Sequence, residues 1–316
     1  MLDGAFKQID RLILQADKIL LVGHRRPDHD TLGSVLGLAL YLDSLGKDYA
    51  LYTPDPAPSF LNYLPKIEEL ISDREVFRRQ WDLIVFLDCA DLYMAEITVN
   101  ETAGVTTAVF DHHASNPGYA SVNAIDALAS STCEIVYKFF KAIRFKLDRR
   151  IATCLLSGII SDTSGFANSA TNSEAVMIAS ELIKYGVKIN QLFSFAVQNK
   201  TIGGLRLWGE ALSRLKINQE LGVAFTYVKD EDLRLYQIQE EEVEGLSNFL
   251  NVITDVSATA VFRLSAGQVK ASWRTKRDDV DLAAFCRLFG GGGHKKAAGF
   301  TVPWQVIEKN GELVIV

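Results

Sequence analysis

The chain is short of several things at once. Its four cysteines, Cys89, Cys133, Cys154 and Cys286, lie far apart, and none belongs to a C-x-x-C pair. That spacing disfavours a disulfide framework or a thiolate zinc site and fits free thiols in a reducing compartment. No apolar run approaches the ~18 residues needed to cross a bilayer. The start, Met1 to Arg11, lacks the basic-then-apolar pattern of a secretory signal. Basic residues are the minority, 33 Lys and Arg against 39 Asp and Glu, which disfavours general, charge-driven binding of long nucleic acids. There is no internal repeat and no low-complexity tract. A cytoplasmic protein with no membrane partner is expected.

What is present is an ordinary globular composition, 48% apolar and 23% charged, over 316 residues, enough for two domains. After a helical apolar spacing at Phe6, Ile9 and Ile13, short apolar runs alternate with helical stretches. Strands are predicted at 18–23, 49–52, 81–87 and 106–110. Helices are predicted at 31–45, 132–143, 149–160 and 173–185. This alternation predicts an α/β domain with a doubly wound, mainly parallel sheet over residues 1–188. A helical linker is expected over 189–217. A smaller α+β domain is expected over 218–316, with strands at 222–228, 257–264 and 269–275, a helix at 281–288 and a cleft between the two domains. The connection Leu264-Ser265-Ala266-Gly267-Gln268 reads as a hairpin. The acidic run Glu240-Glu241-Glu242 reads as a helix start, and the four tryptophans as packing residues.

Three predicted strands run straight into metal-type side chains. They are followed by His24/Asp28/Asp30, by Asp88 and by Asp111-His112-His113; Asp162 follows a helix. In open α/β sheets ligands gather at the carboxyl ends of strands. Buried charges there need a counter-charge or a metal. The chain has only five histidines, His24, His29, His112, His113 and His294, and all lie in three short polar or glycine-containing stretches. Any one alone reads as a satisfied structural histidine. Grouped with Asp28, Asp30, Asp88 and Asp162, they read as a site, with His29 set aside because it falls between two candidate ligands. An oxygen-rich set with some imidazole suits Mn²⁺ or Mg²⁺. Two such ions can deprotonate a shared water and clamp the attacking and leaving oxygens of a phosphoester. The run Gly290 to Gly293, with His294, Lys295 and Lys296, reads as an anion-binding nest, and Arg274 as a bidentate phosphate contact.

These motifs, in this order, resemble the DHH phosphoesterase superfamily, whose name spells Asp111-His112-His113. The first motif matches as His24-x-x-Pro-Asp28-x-Asp30-x-x-Gly33-Ser34, the second at Asp88 and the fourth at Asp162-Thr163. Gly290-Gly-Gly-Gly-His294-x-x-Ala297-Ala-Gly299 resembles the DHH-associated substrate-binding domain. The resemblance implies two divalent cations, Mn²⁺ first and Mg²⁺ or Co²⁺ as alternatives. One would be held by His24, Asp28 and Asp88, the other by Asp30, Asp88, His112 and Asp162. It implies that His113 contacts the reacting phosphate, that Asp111 orients the imidazoles, and that Arg274, Gly292, Gly293 and His294 hold a terminal nucleotide, with Arg263 a weaker candidate. The implied activity is degradation of short oligoribonucleotides to 5′-mononucleotides from the 3′ end, with 3′-dephosphorylation of 3′-phosphoadenosine-5′-phosphate (pAp). The runner-up is a phosphodiesterase for pApA, pGpG or c-di-AMP. A RecJ-like exonuclease and a non-catalytic nucleotide sensor are disfavoured, as is a family II pyrophosphatase. A homodimer is compatible with the resemblance. Two departures stand out: Phe166-Ala167-Asn168-Ser169 where relatives often carry a basic residue, and His29 where they more often carry a small one.

Overall fold

The computed structural model describes residues 2–196, 201–238, 240–243, 245–309 and 312–315. It divides into two compact units, 1–199 and 200–316.

The first unit opens with α1 (Leu2–Gln15), which buries Phe6, Ile9 and Ile13, the stripe its spacing predicts. There follow β1 (Lys18–Val22), α2 (His29–Ser44), β2 (Asp48–Tyr52), β3 (Leu70–Ile71), β4 (Leu83–Leu87), β5 (Thr106–Asp111) and β6 (Val122–Ile125). The helices α3 (Thr132–Ala142), α4 (Arg149–Asp162), α5 (Ser173–Ile183) and α6 (Ile189–Ala196) complete it. The six strands form one sheet in the order β3-β2-β1-β4-β5-β6, and every pairing is parallel. The order reverses between β1 and β4, the switch point at which α/β sheets bind ligands.

The central strands read as near-continuous apolar runs because both faces are covered. Ile19, Leu21, Leu83, Val85 and Phe110 face the larger core, to which all six helices contribute. Leu20, Val22, Ile84, Phe86 and Val109 face a smaller core. That side is closed by irregular segments carrying Phe77, Trp81, Ala95, Ile97 and Tyr119, with Phe77 in a short 3₁₀ turn. Two expected boundaries move. Trp81 lies outside β4, and α2 begins at His29 because the Asp28 carboxylate caps it by accepting from Asp30 N and Thr31 N, at 2.9 and 3.0 Å.

Helix α2 is apolar nearly all round because it lies between the sheet and α4. Its approach to α4 depends on glycine. A Cβ on Gly158 would sit 2.5 Å from Cys133 Sγ and 2.6 Å from Asp30 Oδ1, and one on Gly33 would sit 2.5 Å from Cys154 O. This closeness brings the C-terminal end of α4 beside the first turn of α2.

The second unit contains α7 (Ile202–Ser213), β7 (Lys216–Asn218), β8 (Val223–Lys229), α8 (Asp230–Tyr236), α9 (Leu246–Leu250), β9 (Ala258–Ser265), β10 (Gln268–Arg274) and α10 (Leu282–Arg287). It ends with β11 (Gly292–His294), β12 (Ala297–Val302), β13 (Val306–Lys309) and β14 (Glu312–Ile315). Its mixed six-stranded sheet runs β11-β12-β10-β9-β8-β7. Apolar clusters pack on both sides, one with α10 and one with α7 and α9. The hairpin expected at 264–268 is the β9–β10 turn, with Ser265 opposite Gln268 and Gly267 at φ +76°. Of the predicted helical linker, α6 and the α7 region are helical, and residues 197–200 lie outside the described residues. The acidic run falls on a 3₁₀ turn, Glu240–Val243, and the side chains of Glu240 and Glu241 lie outside the described residues.

Candidate metal centre

Each candidate ligand of the first unit sits where an element ends. His24 lies two residues past β1, Asp28 caps α2 and Asp30 is in its first turn. Asp88 directly follows β4, Asp111 closes β5 with His112 and His113 next, and Asp162 is the last residue of α4. Because β1 and β4 are neighbours across the reversal in strand order, the groups they carry converge.

The convergence is close. His24 Nε2 lies 3.2 Å from Asp88 Oδ2. His112 Nε2 lies 3.7 Å from Asp88 Oδ1 and 3.4 Å from Asp162 Oδ2. Three groups have potential ligand atoms all within 4.8 Å of one another: His24/Asp28/Asp88, Asp88/His112/His113 and Asp30/His112/Asp162. Asp88 and His112 each belong to two of them. The structure therefore gathers all six expected ligands and His113 around Asp88 and His112.

The surroundings orient these groups. His24 Nδ1 meets the carbonyl of Arg25 at 2.6 Å, so it must donate there, and a neutral ring keeps its lone pair on Nε2. His113 Nδ1 meets Asp111 Oδ1 at 2.7 Å, and the other Asp111 oxygen accepts from Asn116 Nδ2 at 2.7 Å. Asp111 thus positions one imidazole by direct contact, as an outer carboxylate does behind a metal-site histidine. Asp88 holds φ +61°, the left-handed region, at the strand end where its carboxylate is required.

Sequence reasoning missed the polar groups that tie these ligands together. Thr31 Oγ1 donates to Asp88 Oδ2 at 2.8 Å and lies 2.6 Å from His24 Nε2. Thr132 Oγ1 donates to Asp88 Oδ1 at 3.2 Å. The first amides of α3, Thr132 N and Cys133 N, donate to the two Asp30 oxygens at 2.7 and 2.8 Å. Thr31 had one available signal, its place beside Asp30. Thr132 had none, since it lies 102 residues from Asp30. His29, set aside from the ligands, is buried between Phe60 and Tyr63, with ring centroids 5.4 and 6.4 Å away.

Burial and charge repulsion dominate the electrostatics. Burial first, then Asp88, push Asp30 up to about 7. Burial and the neighbouring Asp30, Asp28 and Asp88 hold Asp162 well above the usual carboxylate range. Burial works against the charged forms of His24 and His113, but Asp88 for the first and Asp111 with Asp88 for the second outweigh it and raise each to about 9. Asp88 stays below the usual range although burial opposes it, because His24, His113 and His112 surround it. Four carboxylates and three imidazoles in one cluster, with Asp30 and Asp88 buried and His24, Asp28, His113 and Asp162 half-buried, form a donor set suited to divalent cations, which would displace these extra protons.

These directions set how stability depends on pH. Without metal, Asp30 binds its proton more tightly folded than unfolded, so its contribution is full below about 4 and lost as pH rises through about 7. His24 and His113 contribute fully below about 6.5 and lose that contribution as pH rises through about 9. Asp88 acts oppositely, losing its contribution as pH falls below about 4. The metal-free protein should therefore melt at a lower temperature at pH 9 than at pH 6. Mn²⁺ affinity should rise over the same interval, with proton release. Calorimetric titration at both pH values checks this, and an affinity independent of pH would contradict it.

In the second unit the expected substrate contacts fall differently. The glycine run does not form a free nest after α10: Gly292, Gly293 and His294 are β11, paired with Gly299, Ala298 and Ala297. The physical reason is close strand approach. A Cβ on Gly291 would lie 2.1 Å from Gly299 O, and one on Gly293 would lie 2.6 Å from Ala297 O, with Gly293 at φ +130°. Arg274, at the end of β10, donates from Nε to Asn248 Oδ1 at 2.6 Å, and burial draws its pKa down. Arg263 is buried, held by the carboxylate of Asp230 and donating to Leu264 O at 2.8 Å.

Fold and site together define a DHH-family phosphoesterase. Residues 18–159 match the DHH family, N-terminal domain, and residues 221–314 match the DHHA1 domain; the chain belongs to this family. It is 30% identical to the bifunctional oligoribonuclease and PAP phosphatase NrnA of Thermus thermophilus, over 94% of this chain and 88% of that one. The solved structure of an exopolyphosphatase-related protein from Bacteroides fragilis matches with a TM-score of 0.86 at 26% identity, over 94% of this chain and 90% of that one. RecJ of Thermus thermophilus, solved in complex with Mn²⁺, shares the fold at a TM-score of 0.54 and 15% identity, over 95% of this chain and 51% of that one. Among the described residues no helix is long and apolar enough to cross a membrane.

Proposed function

We propose that this chain degrades short oligoribonucleotides to 5′-mononucleotides, from the 3′ end, and removes the 3′-phosphate of pAp to give AMP. The observation that carries the reading is the position of Asp88, its two oxygens 3.2 and 3.7 Å from imidazoles on either side, shared by two clusters of potential ligands. Its support from outside is the Thermus thermophilus relative, named for both activities.

In this reading residues 1–188 are catalytic, 189–217 are linker and 218–316 bind substrate. His24, Asp28 and Asp88 hold one divalent cation, and Asp30, Asp88, His112 and Asp162 the other; Mn²⁺ is the preferred ion. The cations supply Lewis acidity and a nucleophile at neutral pH. The chain's own groups do the rest. Asp28, Asp30, Asp88 and Asp162 supply the negative charge that fixes the ions, and Thr31 and Thr132 keep Asp88 from rotating. His113, backed by Asp111, hydrogen-bonds the reacting phosphate and stabilises charge on the leaving oxygen. Arg274 and the 292–294 strand take the terminal nucleotide. Arg263 is the weakest of these contacts because Asp230 already engages it.

A substrate panel with Mn²⁺ tests the reading: oligoribonucleotides of two to ten nucleotides, pAp, pApA, pGpG and c-di-AMP. We expect pAp to yield AMP and the oligomer rate to fall as length grows. A rate that stays flat or rises with length would point instead to a processive exonuclease.

A further inference from the structure

The first unit carries a second feature that the metal centre does not use. A cavity of about 400 Å³, a ligand-sized volume, opens beside the N-terminal turn of α4, lined among others by Tyr63, Arg149, Arg150, Thr153, Lys188 and Phe195. Arg149, Arg150 and Lys188 are exposed, and none is ion-paired among the described residues. Two acidic groups near these cations are already engaged. Asp43, whose field Arg150 feels, is paired with Lys66 at 2.9 Å and accepts from the Tyr49 hydroxyl. Asp148 caps α4 by accepting from Ile151 N at 2.9 Å.

The opposite component is aromatic. Tyr63 and Phe195 stack with centroids 4.4 Å apart and planes 14° from parallel, and Phe195 remains 39% exposed. Tyr63 is fixed by its hydroxyl, 2.6 Å from Ser157 Oγ on α4. The cavity therefore combines three cations, unpaired among the described residues, with an aromatic pair whose Tyr63 is held in place. Phosphate matches the first and a planar base the second. The cationic end of the cavity lies away from the reaction, with Arg150 in the first turn of α4 and Asp162 at its end, roughly 18 Å apart at the helical rise per residue, whereas at the aromatic end Tyr63 approaches His29, ring centroids 6.4 Å apart.

We propose that this cavity is a second ligand site that binds a phosphorylated nucleoside, its phosphate among Arg149, Arg150 and Lys188 and its base against the Tyr63–Phe195 pair. Its support lies entirely in this cavity, so it stands whether or not the reaction proposed above is correct. Such a ligand can be a free mononucleotide or the distal nucleotide of a longer strand.

Equilibrium dialysis of the metal-free full chain with AMP, inorganic phosphate, adenosine and an RNA trinucleotide tests it. We expect AMP to bind at least tenfold more tightly than phosphate or adenosine alone. Arg149→Glu/Arg150→Glu should weaken AMP binding at least tenfold at an unchanged melting temperature. The matched reversal on α1, Lys7→Glu/Arg11→Glu, should leave it intact. Tyr63→Leu should weaken AMP and not phosphate. AMP tighter than trinucleotide identifies a free ligand, and the reverse identifies strand tracking. The proposal is overturned if wild type does not bind AMP at millimolar concentration, if phosphate binds as well as AMP, or if the α4 reversal has no more effect than the α1 control.

Discussion

Asp88→Asn should lower turnover of every phosphoester substrate by roughly 1000-fold, ~4 kcal/mol of barrier. The substitution is nearly isosteric, and asparagine tolerates the left-handed backbone that Asp88 adopts at φ +61°. The fold should survive, with only one of the two threonine hydroxyls losing an acceptor. What is lost is the negative charge that two ligand clusters share. The amide nitrogen is a donor and cannot face a cation. Steady-state rates with saturating Mn²⁺, set beside melting curves, are the check. A variant that folds normally and keeps a tenth of the wild-type rate would mean that the chemistry lies elsewhere.

The second large effect is expected on removing divalent cations. Burial first, and then repulsion between neighbouring carboxylates, drives Asp30 and Asp162 toward the protonated form. Cations bound by the folded state alone stabilise it by mass action, ~4 kcal/mol for each ion held at a thousand times its dissociation constant. Chelation should abolish activity and lower the melting temperature by on the order of 10 °C. Added Mn²⁺ should restore both. An unchanged melting temperature on chelation and re-addition would show that no cation occupies this carboxylate cluster.

The clustering of the candidate ligands was legible because parallel strands buried on both faces read as apolar runs, and the polar residues just after such a run mark a strand's carboxyl end. Lys18–Val22, Leu83–Leu87 and Thr106–Phe110 each announce themselves this way, and His24, Asp88 and His112 stand just beyond them. The glycine run was less legible. Composition shows that the backbone there must pass close to something, and only the pairing of β11 with β12 shows that the neighbour is another strand. Arg263 and Arg274 look alike as strand arginines; Asp230, 33 residues from Arg263, separates them by engaging only the first.

By itself the sequence determined which elements form and which polar side chains stand at their ends, because hydrophobic period and helix capping are local properties of the chain. Tertiary structure decided which ends meet. The placement of β1 beside β4, the close contact at Gly158 that brings Asp162 to Asp30, and the use of the first amides of α3 to hold a carboxylate 102 residues away all depend on long-range packing. No local pattern encodes such contacts, since each is settled by how buried surfaces fit after the elements have formed.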